Sequence, residues 1–196
     1  CNFDPALKCE YTHDKTLLSA SDAVIFRAML LDKLPDRRLP HQKWVLFESK
    51  PPRLVMTNLS AYAEVFNITS TYSLDSDVPL PMSRKCTPRP GQSNVNSYPG
   101  ENFAMKKSRM VAWINVNHCQ TPSKREHYVQ RLMRHIPVDI YGQCGQLKCN
   151  RGLARCLKSI APKYKFLLAF ENVLCQDYIS DVLWAIIDNR VKVVPV

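Results

Sequence analysis

The chain has 196 residues, 45% of them hydrophobic, which excludes disorder along its whole length and leaves room for one sizeable core or two small ones. No apolar run approaches the roughly 20 residues a membrane helix needs, and residues 1–10 show no basic stretch followed by an apolar one, so any anchor is expected upstream of Cys1. The net charge of +10 sits in the middle, where residues 101–165 hold 13 Lys and Arg against 3 Asp and Glu; without a zinc finger, an aromatic RNA-binding pattern or a basic helix leading into heptads, a solvated face or a phosphorylated small molecule fits this stretch better than nucleic acid.

In chain order, residues 23–26 (Ala-Val-Ile-Phe) and 44–47 (Trp-Val-Leu-Phe) are short apolar runs bounded by polar or proline-rich segments. They predict buried parallel strands with both faces covered. From Val78 to Asn102 the prolines and glycines interrupt any regular pattern, which divides the chain into residues 1–78, a linker region at 79–106, and residues 107–196. A third apolar run at 109–116 predicts a strand, and Ser123-Lys-Arg-Glu126 predicts a helix start by a capping box. Val129, Leu132, Met133 and Ile136 follow at helical spacing before a strand at 137–141, a parallel and right-handed unit. Residues 165–170, 177–187 and 191–196 repeat strand, helix and strand. The class is α/β. Because residue 196 ends on a strand with no covering helix, the second domain is expected to be truncated.

Eight cysteines are present, and neither they nor the five histidines fall at zinc-binding spacings. Two glycosylation sequons, at Asn58 and Asn67, point to the secretory pathway, so the cysteines are expected to form disulfides in an oxidising lumen, with the pairing open. There is no glycine-rich dinucleotide loop, Walker lysine loop or nucleophile elbow, and no D-x-D motif after a strand outside Asp75-Ser-Asp77, so no bound metal is implied.

Several stretches, in order and over nearly the whole chain, resemble the α1,3-fucosyltransferases. Residues 21–26 (Ser-Asp-Ala-Val-Ile-Phe) resemble the family's ADAVIFH strand, residues 44–49 its W-x-x-x-E-S segment, and residues 66–77 its FNWTxxYRxDSD segment. Further on, residues 110–125 resemble VAWxxSNC…R, residues 138–142 match VDIYG, and residues 170–196 follow FENSxxxDYITEKLW…VPV. The resemblance implies a GT-B architecture, two Rossmann-like domains with a cleft between them, and inverting transfer of L-fucose from GDP-β-L-fucose to the 3-hydroxyl of N-acetylglucosamine in a glycan. It implies Glu48 as the base and Asn117, Arg125, Glu171, Asn172, Tyr178 and Asp181 as donor-binding residues. No tightly bound cofactor is implied, a divalent ion serving at most to screen the diphosphate. Partners are GDP-fucose and N-acetylglucosamine-bearing glycans, not nucleic acid. The place is the Golgi lumen, with a single-pass type II anchor outside this chain.

The sequence departs from the pattern where the family's T-E-K is Ser180-Asp-Val182, so that a lysine expected to neutralise the donor phosphates is a valine. Val173 and Asn115-Val-Asn117 likewise replace family hydroxyls near the donor. These departures define the alternative, a catalytically degenerate or truncated member acting as a glycan-binding module.

Overall fold

The computed structural model describes residues 8–80, 102–115, 119–149 and 152–196. Asn117 and most of the 79–106 region lie outside them. Two sheets, parallel throughout, organise the chain. The first has the order β1-β2-β3, from β1 (Ala23–Arg27), β2 (Lys43–Glu48) and β3 (Ile68–Thr71). The second has the order β5-β4-β6-β7, from β4 (Arg109–Asn115), β5 (Val138–Gly142), β6 (Tyr164–Leu168) and β7 (Val194–Pro195).

Register partners in a parallel sheet share a face, so Val24 and Phe26 lie beside Trp44 and Leu46, with Glu48 and Thr71 paired at the strand ends. On this face the Phe26 ring sits 5.1 Å from Trp44 and 5.6 Å from Phe66. The opposite face is thinner: Ile25 is 54% exposed, against the expectation that both faces of β1 are covered. The connections explain this. Residues 28–42 and 49–67 carry Pro35, Pro40, Pro51 and Pro52 and form only short 3-10 turns, at Ala28–Leu30, Pro52–Leu54 and Leu59–Tyr62, where a covering helix would otherwise lie.

The second sheet is covered on both faces by α1 (Arg125–Leu132), α2 (Leu153–Ile160) and α3 (Asp181–Asp188). Alternation along β4 sorts them. Val111 and Trp113 pack with Val129 of α1, whereas Ala112 and Ile114 pack with Leu157 of α2 and Ile186 of α3. Burying such a side chain contributes about 1.5–3 kcal/mol, so Trp113, Leu157 and Leu167, all under 3% exposed, anchor the two layers. The chain leaves β4 over one face and β6 over the other. That divergence opens a crevice at the carboxyl ends of β4 and β6, where open α/β sheets bind ligands.

Four local expectations change. Ser123 and Glu126 do not form a capping box: Lys124, left-handed at φ 56°, is the N-cap, the Glu126 carboxylate accepts from Thr121 N and Oγ1 at 3.3 and 3.0 Å, and the Ser123 hydroxyl donates to the Glu171 carbonyl at 2.7 Å. α1 ends at Leu132, leaving Met133 47% exposed. α3 begins at Asp181, not 177, because Asp177 is itself left-handed at φ 59°. The last strand is only Val194–Pro195, with Val191 and Val193 buried in the core before it. α2 is absent from the sequence expectation, although Leu153, Cys156, Leu157 and Ile160 fall at helical spacing.

Disulfides join Cys119 to Cys144 and Cys149 to Cys156, while Cys9 and Cys175 are free thiols. The first bridge ties the segment after β4 to the segment after β5. Cys1 and Cys86 lie outside the described residues. Among the described residues no helix is long and apolar enough to cross a membrane.

Candidate functional site

At the crevice, Arg125 opens α1 with its guanidinium turned inward. It donates to the Phe170 carbonyl at 2.5 Å, lies 5.8 Å from the Trp113 ring centre, and approaches Glu126 at 3.6 Å, an ion pair too long for a hydrogen bond. Its side chain is 13% exposed, so it is not the solvated charge a first-turn arginine usually is. Burial pulls its pKa below the ordinary value, and Glu126 and Glu171 oppose that pull. Glu126 is held below the usual carboxylate range: burial would raise it, but hydrogen bonds from its own amide and from Thr121, with the Arg125 charge, prevail.

The loop after β6 supplies the other wall. One oxygen of Glu171 accepts from Ser180 N at 2.9 Å, and Ser123 N donates to the Asn172 carbonyl at 3.1 Å, so Ser123 sews this loop to the start of α1. Glu171 Oε2 and Asn172 Oδ1 are buried with no hydrogen-bond partner, while Arg125 Nε and Glu126 Oε1, also without a hydrogen bond, face each other as the 3.6 Å ion pair. An unmet buried polar atom costs roughly 1–3 kcal/mol, so the two unmet acceptors are candidate ligand contacts. Those two acceptors suit hydroxyls or N–H groups, and the Arg125 guanidinium beside them is a cation able to meet an anion. Tyr178 is 5% exposed; burial first, then Glu171 and Asp181, push its hydroxyl up to about 12, leaving it a neutral donor near neutrality. Asp181 is exposed in the first turn of α3. Val182 does not face solvent as a lysine would: it packs against the core with Ala185 and Leu153.

The second assembly lies at the end of β2. Glu48 is 4% exposed. Its Oε1 accepts from Ser49 N at 2.9 Å and Lys50 N at 3.0 Å, and its Oε2 from Met29 N at 2.9 Å. It lines a cavity of about 260 Å³ together with Leu46, Lys50, Tyr72, Ser73 and Asp75. A carboxylate has about four lone-pair positions, so one on Oε2 is left for a hydroxyl. The two assemblies meet at Tyr72 and Tyr178, whose rings are 5.3 Å apart in an edge arrangement. Tyr72 and Asp177 are site neighbours that reading the sequence did not single out; each lies within a stretch that carries the resemblance, but spacing gives neither a role.

Asn58 and Asn67 are exposed. Asn58 caps a 3-10 turn through Ser60 N at 3.2 Å, and Asn67 Oδ1 accepts from Trp44 N at 2.9 Å and Arg38 at 3.0 Å. Asn117 lies outside the described residues.

Comparison with known proteins decides the family. Residues 104–196 match the C-terminal domain of glycosyltransferase family 10 (fucosyltransferase), and residues 1–83 match the fucosyltransferase N-terminal domain. The chain belongs to glycosyltransferase family 10, the fucosyltransferases. Similar members of this family include α-(1,3)-fucosyltransferase C of Drosophila melanogaster, 34% identical over 95% of this chain and 49% of its own length. An α-(1,3)-fucosyltransferase of Caenorhabditis elegans is 31% identical over 92% of the chain and 40% of its own length. A GDP-fucose protein O-fucosyltransferase 3 of Gallus gallus is 34% identical over 79% of the chain and 34% of its own length. The family 10 chain thus spans half or less of the length of these curated relatives. The N-terminal and C-terminal family matches fall on its two sheets, and the α/β class with parallel sheets agrees with a Rossmann-like glycosyltransferase.

Proposed function

We propose that this chain is the core of an inverting α1,3-fucosyltransferase that moves L-fucose from GDP-β-L-fucose to the 3-hydroxyl of N-acetylglucosamine in a glycan. In this reading residues 1–78 form the acceptor-side domain, 79–106 the connecting region and 107–196 the donor domain of a GT-B enzyme. The observation that carries it is the crevice cluster, in which the inward-turned Arg125 guanidinium and two unpartnered buried acceptors, Glu171 Oε2 and Asn172 Oδ1, stand at the switch point between β4 and β6. Such a set suits a diphosphate and the hydroxyl or N–H groups of a nucleotide sugar. Arg125 meets the diphosphate, the Tyr178 hydroxyl donates beside it, and Glu171, Asn172, Asp181 and Asn117 hold the remainder.

Glu48 is the base. Its free position on Oε2 takes the proton of the acceptor hydroxyl as that oxygen bonds to the anomeric carbon from the face opposite the diphosphate. The bond from that carbon to the phosphate oxygen breaks, GDP departs with the electron pair, and Arg125 stabilises its charge. No tightly bound cofactor takes part; a divalent ion would only screen the diphosphate. The reading places the protein in the Golgi lumen behind a single-pass anchor, with Asn58 and Asn67 as glycan acceptors.

The test is transfer of labelled fucose by the full-length protein to a panel of N-acetylglucosamine glycans and, as a contrast, a folded polypeptide acceptor. Transfer to the glycans should vanish in Glu48→Gln while GDP still binds, and Arg125→Ala should weaken GDP binding by about ten- to a hundredfold. A folded full-length protein that binds no GDP and transfers no fucose would overturn the reading and leave a glycan-binding module.

A further inference from the structure

The two assemblies are joined by a short segment that neither the base nor the donor residues account for. Asp177 is a half-buried, non-glycine residue at φ 59°, a conformation that Asp and Asn tolerate better than most side chains. Its Oδ2 accepts from Leu74 N at 3.1 Å and lies 3.5 Å from the Ser73 hydroxyl, which donates to Asp75 Oδ1 at 2.5 Å. The neighbouring Tyr178 sets its ring against Tyr72, and burial, with the half-buried Cys175 thiol beside it, raises the Tyr72 hydroxyl above its ordinary pKa. Residues 177 and 178 therefore grip residues 72–74 through a carboxylate and a ring, with the Cys175 thiol alongside.

Both ends of this joint belong to the sites. Tyr72, Ser73 and Asp75 form a wall of the Glu48 cavity, while Tyr178 shares its electrostatic surroundings with Glu171 and Arg125 at the crevice. We propose that Asp177 is a positioning residue: by fixing residues 73 and 74 to the segment that carries Tyr178, it holds the acceptor cavity in register with the donor crevice. This rests on the fucosyl-transfer reading above. A hydroxyl and an anomeric carbon react only when held within a few tenths of an ångström of the productive geometry, and the two groups would be held by different sheets. Asp177 touches neither reactant; it acts through Ser73 and Leu74. The left-handed backbone aims its carboxylate across the joint, and a residue in the right-handed region would turn it away.

The test uses the full-length protein and separates backbone from carboxylate. Asp177→Gly relaxes the positive φ but deletes the carboxylate, whereas Asp177→Asn keeps both a tolerant backbone and an acceptor oxygen. The glycine variant should raise the acceptor KM about tenfold, the size of one charge-assisted contact, leave GDP affinity within about twofold, and speed alkylation of Cys175, followed on its own peptide by mass spectrometry. The asparagine variant should restore most of the acceptor KM and of the Cys175 protection. A glycine variant that matches the wild type in KM and alkylation, or one that loses GDP and acceptor binding alike, overturns the proposal. If the wild type transfers no fucose the reaction assignment fails, yet faster Cys175 alkylation in Asp177→Gly would still uphold the joint and unchanged alkylation would refute it.

Discussion

Glu48 illustrates how one side chain serves the fold and the chemistry through different lone pairs. Three backbone amides converge on its carboxylate, fixing residues 29, 49 and 50 around the cavity. A glutamine there offers one oxygen and one NH2, so at least one amide would face a donor. Glu48→Gln should therefore lower stability by about 1–3 kcal/mol in urea denaturation, in addition to its effect on transfer. A variant as stable as the wild type would show that these amides are held by the turn itself. Arg125 makes the complementary point. Its position at the start of a helix is plain in the sequence, but its inward turn onto Trp113 and the Phe170 carbonyl depends on a loop 45 residues away, which no local pattern encodes.

Among the elements, β5 carries a polar network around the buried Tyr164, half-exposed at Asp139 and Arg109, that the apolar rhythm of the strands does not announce. Asp139 Oδ2 accepts from the Tyr164 hydroxyl at 2.6 Å and from Arg109 at 2.6 Å, and Tyr141 bonds Tyr164 at 2.9 Å. The Tyr164 hydrogen bond, with Arg109 behind it and burial opposing, holds the Asp139 carboxyl below its usual range. Its folded pKa is lower than its unfolded one, so the stabilisation is present above the unfolded value of about 3.9 and is lost as the pH falls through the folded value. Asp139→Asn should thus unfold more easily at pH 7, and the gap to the wild type should close below about pH 4 in thermal melts. A gap that stays constant with pH would mean the loss is one of packing. The seven strands among the described residues are legible to different degrees for a related reason. β1, β2, β4, β5 and β6 stand out as apolar runs and α1 and α3 by their spacing, whereas β3, Ile68–Thr71, shows no such run. β7 shrinks to two residues because Val191 and Val193 turn into the core instead of the ladder. The capping box fails because Ser123 finds a better partner across the crevice, in the Glu171 carbonyl, and that choice is tertiary.

At the scale of the molecule, cysteine number and sequons point to disulfides, while the pairing emerges only from three dimensions. The Cys119–Cys144 bridge, which spans 25 residues, restrains the unfolded chain by about 3 kcal/mol in the loop-entropy account. Replacing both cysteines by alanine should lower stability by roughly that amount in urea titrations, and a loss well under 1 kcal/mol would mean the unfolded chain is already compact there. The donor half of the site is more legible than the acceptor half, because strands ending in charged and amide residues at a switch point follow a general rule, whereas the Glu48 cavity is built by irregular turns. The attachment of Asn67 carries a consequence in time. Its amide oxygen is spoken for by Trp44 and Arg38, and the Thr69 hydroxyl of the same sequon donates to Asp77 at 2.8 Å. Once β2 and β3 have zipped together, an oligosaccharide-transferring enzyme would have to tear the sheet edge open to reach that triplet. Modification of Asn67 is therefore a race between the emerging chain and its own folding, and pulse-chase labelling should find the site filled within the first minutes of synthesis or not at all.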